Sequence, residues 1–264
     1  NLGDISFRAK EILSIVDFVI CENPVHSLKL LNKLGIKKKL YSLHDYNEEI
    51  LIKRIEKYQT NSSIALISDS GSPLISDPGY NLVLDYIKKN IMITTVPGPS
   101  SIISSLQLSG LPINNFEFFG FVPKNKAGMF SLLQKIENTK STSVFFISGN
   151  RLMIFLNTIL EMEIFRMMAV CKELTKLNER VFRGNVKKII NVILSDPNNI
   201  RGEFVLVIEG REKQVQKKVE LEVEQQIKKL LKKYSLTEVV EIVHKLSNLS
   251  KKEIYSATLL LKND

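Results

Sequence analysis

Residues 68–80 read Ser-Asp-Ser-Gly-Ser-Pro-Leu-Ile-Ser-Asp-Pro-Gly-Tyr, a run of turn-forming residues that carries carboxylates. It follows the apolar strand pattern Ile64 to Ile67 and precedes a helix pattern starting near Tyr80. In an open α/β sheet, loops at the carboxyl ends of the strands are where ligands bind. Asp69 brings a hydrogen-bond acceptor to such a loop, Gly71 permits an unusual backbone, and Pro73 stiffens the exit. A tight turn capped by the aspartate uses the same residues.

A second run, Val96-Pro97-Gly98-Pro99-Ser100-Ser101, stands between an apolar stretch expected as a strand, Ile91 to Val96, and another helix. Pro99 suits a first helical turn, where its missing donor costs nothing. Ser100 and Ser101 set small polar groups beside that turn's free amides. Two compact strand-loop-helix units suggest one bipartite ligand site. Neither loop has the glycine-lysine or triple-glycine spacing of a phosphate cradle. That argues against a nucleoside triphosphate or a dinucleotide held in the usual way.

The elements around these loops alternate. Strands are expected at Asp17–Cys21 and Lys39–Leu43, and helices at Pro24–Leu34 and Glu48–Tyr58. Short apolar strands separated by helices predict a parallel sheet covered on both faces. Phe116 to Phe119 reads as a further strand, with Gly120-Phe121-Val122-Pro123-Lys124 as a boundary and a helix over Met129–Asn138. A second α/β unit follows, with strands at Ser143–Ile147, Met167–Cys171, Glu179–Phe182 and Glu203–Ile208 and helices at Arg151–Leu160 and Val186–Leu194. From Glu212 the chain turns helical and charged: Val219–Tyr234, Leu236–Leu246 and Ser250–Leu261, with Ser235 and Ser250 as cap-region residues. The expected domains are 1–119, 120–211 and 212–264.

With 264 residues and 44% hydrophobic content, the chain can bury a proper core. Its formal charge is +9, from 37 Lys and Arg against 28 Asp and Glu, with lysine spread along the chain. That balance favours an anionic partner such as RNA, and fits a lysine-rich protein without one nearly as well. Cys21 and Cys171 lie in apolar runs without metal-ligand spacing and read as buried, reduced thiols of a cytoplasmic protein. His26, His44 and His244 are too dispersed for a zinc site, and no apolar span long enough for a membrane occurs.

Taken in order, these segments resemble the small-subunit ribosomal RNA ribose methyltransferases of the tetrapyrrole-methylase-like, S-adenosylmethionine-dependent class. The resemblance is carried by Asn1-Leu2-Gly3-Asp4-Ile5, Ser68 to Tyr80, Pro97 to Ser101 and Gly120-Phe121-Val122-Pro123. Glu173-Leu174-Thr175-Lys176, Arg201-Gly202-Glu203 and the helical tail extend it. It implies two α/β domains of the tetrapyrrole-methylase type with a small C-terminal helical extension, paired as a homodimer. The methyl donor, S-adenosylmethionine, would lie in the cleft between the domains. Asp69, Gly71, Ser72 and Pro73 would line one side, Pro97, Gly98, Ser100 and Ser101 would support it, and Leu174 and Thr175 would approach from the second domain. Asn1-Leu2-Gly3 resembles the trailing end of the family's opening loop, so an opening strand is expected ahead of Asn1. The implied acceptor is a cytidine 2′-oxygen in 16S ribosomal RNA, alone or in the assembled 30S subunit.

Three places depart from the family's pattern. Glu22-Asn23-Pro24-Val25-His26 stands where the family resembles Glu-Asp-Thr-Arg-His. Phe145-Phe146-Ile147-Ser148-Gly149-Asn150-Arg151 stands where it resembles Phe-Tyr-Glu-Ser-Pro-His-Arg. Lys172 replaces an arginine before Glu173, keeping the charge but not the planar fork.

Methyl transfer is an in-line displacement that needs alignment and help in removing the hydroxyl proton. Glu22 and Glu173 are the acids nearest the matching segments, and Lys176 is the cation suited to hold a phosphate or a developing oxyanion. No metal is called for. Lys124, Lys126, Lys172, Lys176, Arg180 and Arg183 could form a basic face for RNA, with Arg183 favoured by the adjacent Gly184. Two alternatives stay open: a methyltransferase for a small tetrapyrrole, and an RNA-binding protein that keeps the scaffold with weak or lost catalysis.

Overall fold

The computed structural model describes residues 1–58, 61–211, 217–247 and 251–262. Contacts divide the chain into Asn1–Arg211, which holds both sheets, and Glu212–Asp264. The first sheet is parallel, in the order β2-β1-β3 (β1 Phe18–Cys21, β2 Lys39–Ser42, β3 Ile64–Ile67). Phe18 aligns with Lys39 on one side and Ile64 on the other, so the three strands end level at Cys21, Ser42 and Ile67. β1 is central and buried along its whole length, as a continuous apolar run in a parallel sheet requires. Phe18 and Ile20 pack with Tyr41, Leu43, Leu51, Ile55 and Leu82, on the side of α3 (Glu48–Ile55) and α4 (Tyr80–Lys88). Val19 points to the other face, with Leu13 of α1 (Phe7–Ile15) and Leu31 of α2 (Pro24–Lys33).

Ile91 to Val96 does not form the expected strand and lies outside both sheets. Its β-branched side chains favour extended backbone, but a strand exists only through ladder bonds to a neighbour. Among the described residues β3 pairs with β1 alone.

The second sheet is mixed, in the order β4-β5-β8-β6-β7. β4 (Phe116–Phe121) runs parallel to β5 (Thr142–Ser148). β8 (Glu203–Ile208) is antiparallel to both β5 and β6 (Met168–Lys172), and β7 (Arg180–Gly184) closes the edge against β6. One face carries the largest core, where Phe145, Phe155, Leu133 and Ile189 meet beneath α6 (Lys126–Glu137), α7 (Gly149–Glu161) and α8 (Val186–Leu194). The other face receives α5 (Ser101–Ser109) through Ile102 and Leu106. The helix after the second motif loop therefore packs on the five-stranded sheet, and the division expected after residue 119 falls inside β4.

Cys21 on β1 and Cys171 on β6 are free thiols with no exposed surface. Burial pushes both upward, Cys171 to about 12, so neither is a ready nucleophile.

The helical unit comprises α9 (Lys217–Leu231), α10 (Leu236–Leu246) and α11 (Lys251–Lys262). Ile227, Val239, Val240, Val243 and Ile254 form its core. Ser235 begins α10 in a capping box with Glu238, whereas Ser250 lies outside the described residues. Among the described residues no helix is long and apolar enough to cross a membrane.

Candidate active site

The parallel register brings the loops after β1 and β3 side by side. Between them the 68–79 run folds back on itself, because Gly71, Leu74, Ser76 and Gly79 all take positive φ (78°, 69°, 68° and 127°). Leu74 and Ser76 each accept a backbone that costs about 1–3 kcal/mol, strain of a kind concentrated at ligand sites. Gly79 has a φ of 127° that side-chain-bearing residues rarely adopt, and a Cβ there would also stand 2.8 Å from the Leu66 side chain.

The fold-back returns Asp77 to the vicinity of Asp69 and Glu22. Burial raises the Asp77 carboxyl to about 6, the charges of Glu22 and Asp69 push it the same way, and a hydrogen bond with Ser68 opposes them. Oδ2 of Asp77 and Oδ1 of Asp69 are both buried without a hydrogen-bond partner. His26 Nδ1 lies 3.5 Å from Asp69 Oδ1, an ion pair only when the imidazole is protonated. Asp77 escaped selection from sequence; its position before Pro78 in the same loop was the available signal.

Ser72 Oγ donates to the Pro99 carbonyl at 3.4 Å, joining the two motif loops. Ser68 Oγ closes its own loop on the Gly71 carbonyl at 3.1 Å. Ser100 is the N-cap of α5, its hydroxyl accepting from Ile103 N–H, so Pro99 stands before the helix rather than in its first turn. Pro97 and Gly98 lie in the irregular stretch before it. Arg8 secures that stretch from α1 by donating to the Thr95 carbonyl at 2.6 Å.

Leu174, in the turn after β6, packs against the cluster to which Ile102 and Leu106 of α5 belong. In this turn Glu173 and Thr175 take positive φ (48° and 62°). Glu173 Oε1 accepts from Glu203 N–H at 2.8 Å and from Lys176 Nζ at 3.1 Å, and Lys176 also reaches Glu203 Oε2 at 2.9 Å. Burial raises the Glu173 carboxyl, but these donors outweigh it and hold the group below its ordinary value. Burial likewise lowers Lys176, and its two carboxylate partners raise it overall. Gly202 makes room, since a Cβ there would lie 2.7 Å from Glu173 Cγ. The Glu22–Asp69–Asp77 group and the Glu173–Lys176–Glu203 group share no hydrogen bond or ion pair among the described residues.

The expected basic face is largely dispersed. Lys172 is buried, its ammonium donating to the Asn198 carbonyl at 2.6 Å. Arg183 Nε donates to the Leu108 carbonyl at 2.8 Å, closing the C-terminal turn of α5, so the guanidinium is a structural clamp. Arg180 serves Asn199 and Asp196, and Lys126 pairs with Glu161. Lys124 is exposed.

Two of the departures have local structural reasons. Asn23 caps α2, accepting from Val25 and His26 N–H, with Pro24 at the first helical position; asparagine caps as well as aspartate does. Gly149 starts α7 where a Cβ would meet the Ile200 carbonyl at 2.2 Å, and Arg151 donates to the Val122 carbonyl at 2.9 Å.

Comparison with known proteins agrees with this architecture. A family model described as Tetrapyrrole (Corrin/Porphyrin) Methylases matches residues 1–190. A protein of Halalkalibacterium halodurans called Ribosomal RNA small subunit methyltransferase I is 37% identical over 217 residues, covering 82% of this chain and 74% of that one. Its namesake from Rickettsia prowazekii is 38% identical over 265 residues, covering 97% and 91%. Among solved structures, a diphthine synthase superposes with a TM-score of 0.60 at 15% identity, covering 79% of this chain and 86% of that one. Cobalt precorrin-4 methyltransferase does so with 0.56 at 15%, covering 79% and 90%. At that identity the fold alone is shared.

Proposed function

Because the chain belongs to the tetrapyrrole methylase family, and within it to the small-subunit ribosomal RNA methyltransferases, we propose that it methylates the ribose 2′-oxygen of a cytidine in 16S ribosomal RNA. The observation that carries this reading is 38% identity to a ribosomal RNA methyltransferase maintained over 97% of the chain. The corrin and diphthamide enzymes share the fold at only 15% identity, so they do not carry a small-molecule acceptor over.

The residues present fit S-adenosylmethionine as donor. Asp69 Oδ1 and Asp77 Oδ2 are buried acceptors without a hydrogen bond, which suit a ligand rich in amino and hydroxyl donors. The Ser72–Pro99 contact joins the two loops beside them, and Leu174, with Thr175 next to it in the chain, approaches through the cluster that α5 shares. When bound, the donor supplies an electrophilic methyl on a sulfonium sulfur. Glu22, exposed at the end of β1, is the carboxylate available to take the hydroxyl proton. Glu173 is a poor base, since its oxygen is engaged and its carboxyl held low; it positions Lys176, whose charge meets the RNA. The functional divisions lie before α5 and after Arg211, and the active form is a homodimer, which light scattering across a concentration series tests.

Transfer of labelled methyl groups to undermodified small subunits, followed by nucleoside analysis, tests the activity. The expected product is 2′-O-methylcytidine. Label in a tetrapyrrole acceptor, or donor binding without transfer to RNA, overturns the assignment.

A further inference from the structure

Four lysines crowd the end of α9, Lys228, Lys229, Lys232 and Lys233, and all are exposed. The apolar stripe of this helix, Val223, Ile227, Leu230 and Leu231, faces the core of the helical unit, and Lys228 and Lys232 flank it beside Leu231. Lys228 and Lys229 stand in the last turn of α9, and Lys232 and Lys233 follow in the turn after it, so four like charges gather at one helix end. None of the four pairs with an acid among the described residues. Cations suit the last turn of a helix, which accounts for Lys228 and Lys229 but not for Lys232 and Lys233 beyond it.

Beside them the surface is concave. A hollow of about 490 Å³ is lined by Lys228, Leu231, Lys232, Tyr234, Leu236 and Leu261. Tyr234 is half exposed and forms one wall of it. On the other side of Tyr234 stand Glu238 and Glu241, but both are engaged, Glu238 in the Ser235 capping box and Glu241 with Lys251. The hollow thus presents two ammonium groups and an aromatic ring over an apolar floor.

We infer that this hollow docks a single-stranded RNA segment, with Lys228 and Lys232 on backbone phosphates and Tyr234 against an unpaired base. Unpaired bases stack on exposed aromatic rings while nearby cations neutralise the phosphates, in a sequence-tolerant way. The identity of the RNA rests on the functional reading above; the docking chemistry rests on the hollow. It gives the helical unit an RNA contact of its own, in addition to that proposed for Lys176.

The full chain carrying Lys228→Gln and Lys232→Gln together tests this by fluorescence anisotropy with a labelled single-stranded fragment of small-subunit ribosomal RNA over a salt series. Affinity falls about tenfold at 0.1 M salt, and the slope of log affinity against log salt drops by roughly 0.7 for each phosphate no longer neutralised. Calorimetry with S-adenosylmethionine remains unaltered, which separates lost docking from a damaged fold. The chain has no tryptophan, so Tyr234→Trp provides a single indole whose emission is quenched when a base stacks on it. Unchanged affinity and slope, with an unquenched indole, overturn the docking surface even where methyl transfer to RNA persists. Absence of any RNA binding by the unsubstituted chain overturns the functional reading along with it. Loss of binding to anionic lipid vesicles with RNA affinity intact assigns the hollow to a membrane surface instead.

Discussion

The carboxylates at the ends of the two sheets are organised in opposite ways. At the three-stranded sheet, Asp69 Oδ1 and Asp77 Oδ2 are buried without a hydrogen-bond partner, with only His26 Nδ1 at 3.5 Å from the former, and Asp77 is pushed upward. At the five-stranded sheet, Glu173 is saturated by an amide and an ammonium and held low. A low-dielectric setting makes an unpaired polar group costly and a satisfied one stabilising. The first end is therefore built around something that arrives, and the second around its own contacts. Acid chemistry alone does not distinguish catalytic from structural carboxylates; the accounting of their lone pairs does.

The largest expected effect separates two glycines with positive φ. Gly202→Ala drives a methyl into Glu173 and strains a φ of 114°, costing about 2–4 kcal/mol in urea denaturation. Gly71→Ala meets nothing within 4 Å and costs only the strain of its φ, about 1 kcal/mol. Equal losses at the two positions would break the contrast between a packed end and an open one.

Asp69→Asn lowers donor affinity by about tenfold, roughly 1.4 kcal/mol, in calorimetric titration, while its denaturation midpoint does not fall. A lowered midpoint with unchanged donor affinity places Asp69 among the structural residues instead.

pH turns the two ends in opposite directions. The folded value of Asp77 lies above the unfolded one, so its favourable contribution is present below about pH 4 and lost as pH rises through about 6. The folded value of Glu173 is depressed, so its contribution is present above the ordinary carboxylate range and lost as pH falls through the folded value. Asp77→Asn accordingly stabilises the ligand-free chain at pH 7.5 and not at pH 4, whereas the loss caused by Glu173→Gln shrinks on acidification. Denaturation midpoints at the two pH values check both signs.

The smallest effect is on the ion triad. Lys176→Met removes partly exposed pairs worth under about 1 kcal/mol, so stability barely moves. Methyl transfer to RNA nonetheless falls at unchanged donor affinity if the ammonium meets the RNA. Equal activity of the variant confines Lys176 to tethering Glu173.

Local pattern revealed what local forces decide. Ile64–Ile67 as a strand and Leu236–Leu246 as a helix, with Ser235 as its cap, follow from apolar runs and capping chemistry. Ile91–Val96 has the same strand-like composition, but pairing is a property of neighbours that composition does not contain. Arg183 resembled a ligand contact because its partner, the Leu108 carbonyl, lies 75 residues away. Asp77 was hidden for a related reason: Leu74 and Ser76 take left-handed backbone that their side chains do not advertise, and only this brings the carboxylate back to Asp69. The motif loops were visible as loops, and the contact between Ser72 and Pro99 was not.

The two cysteines give the molecule a pair of internal clocks. Cys21 sits in the parallel sheet and Cys171 in the mixed one, each sealed from solvent. A thiol-specific reagent reaches either only when its own sheet opens, so the two labelling rates, resolved by mass spectrometry, time the opening of each sheet separately. Coincident rates mark one cooperative body; a faster Cys21 marks the small parallel sheet as the half that opens first, and the donor binding proposed at Asp69 then slows that clock while leaving the other unchanged.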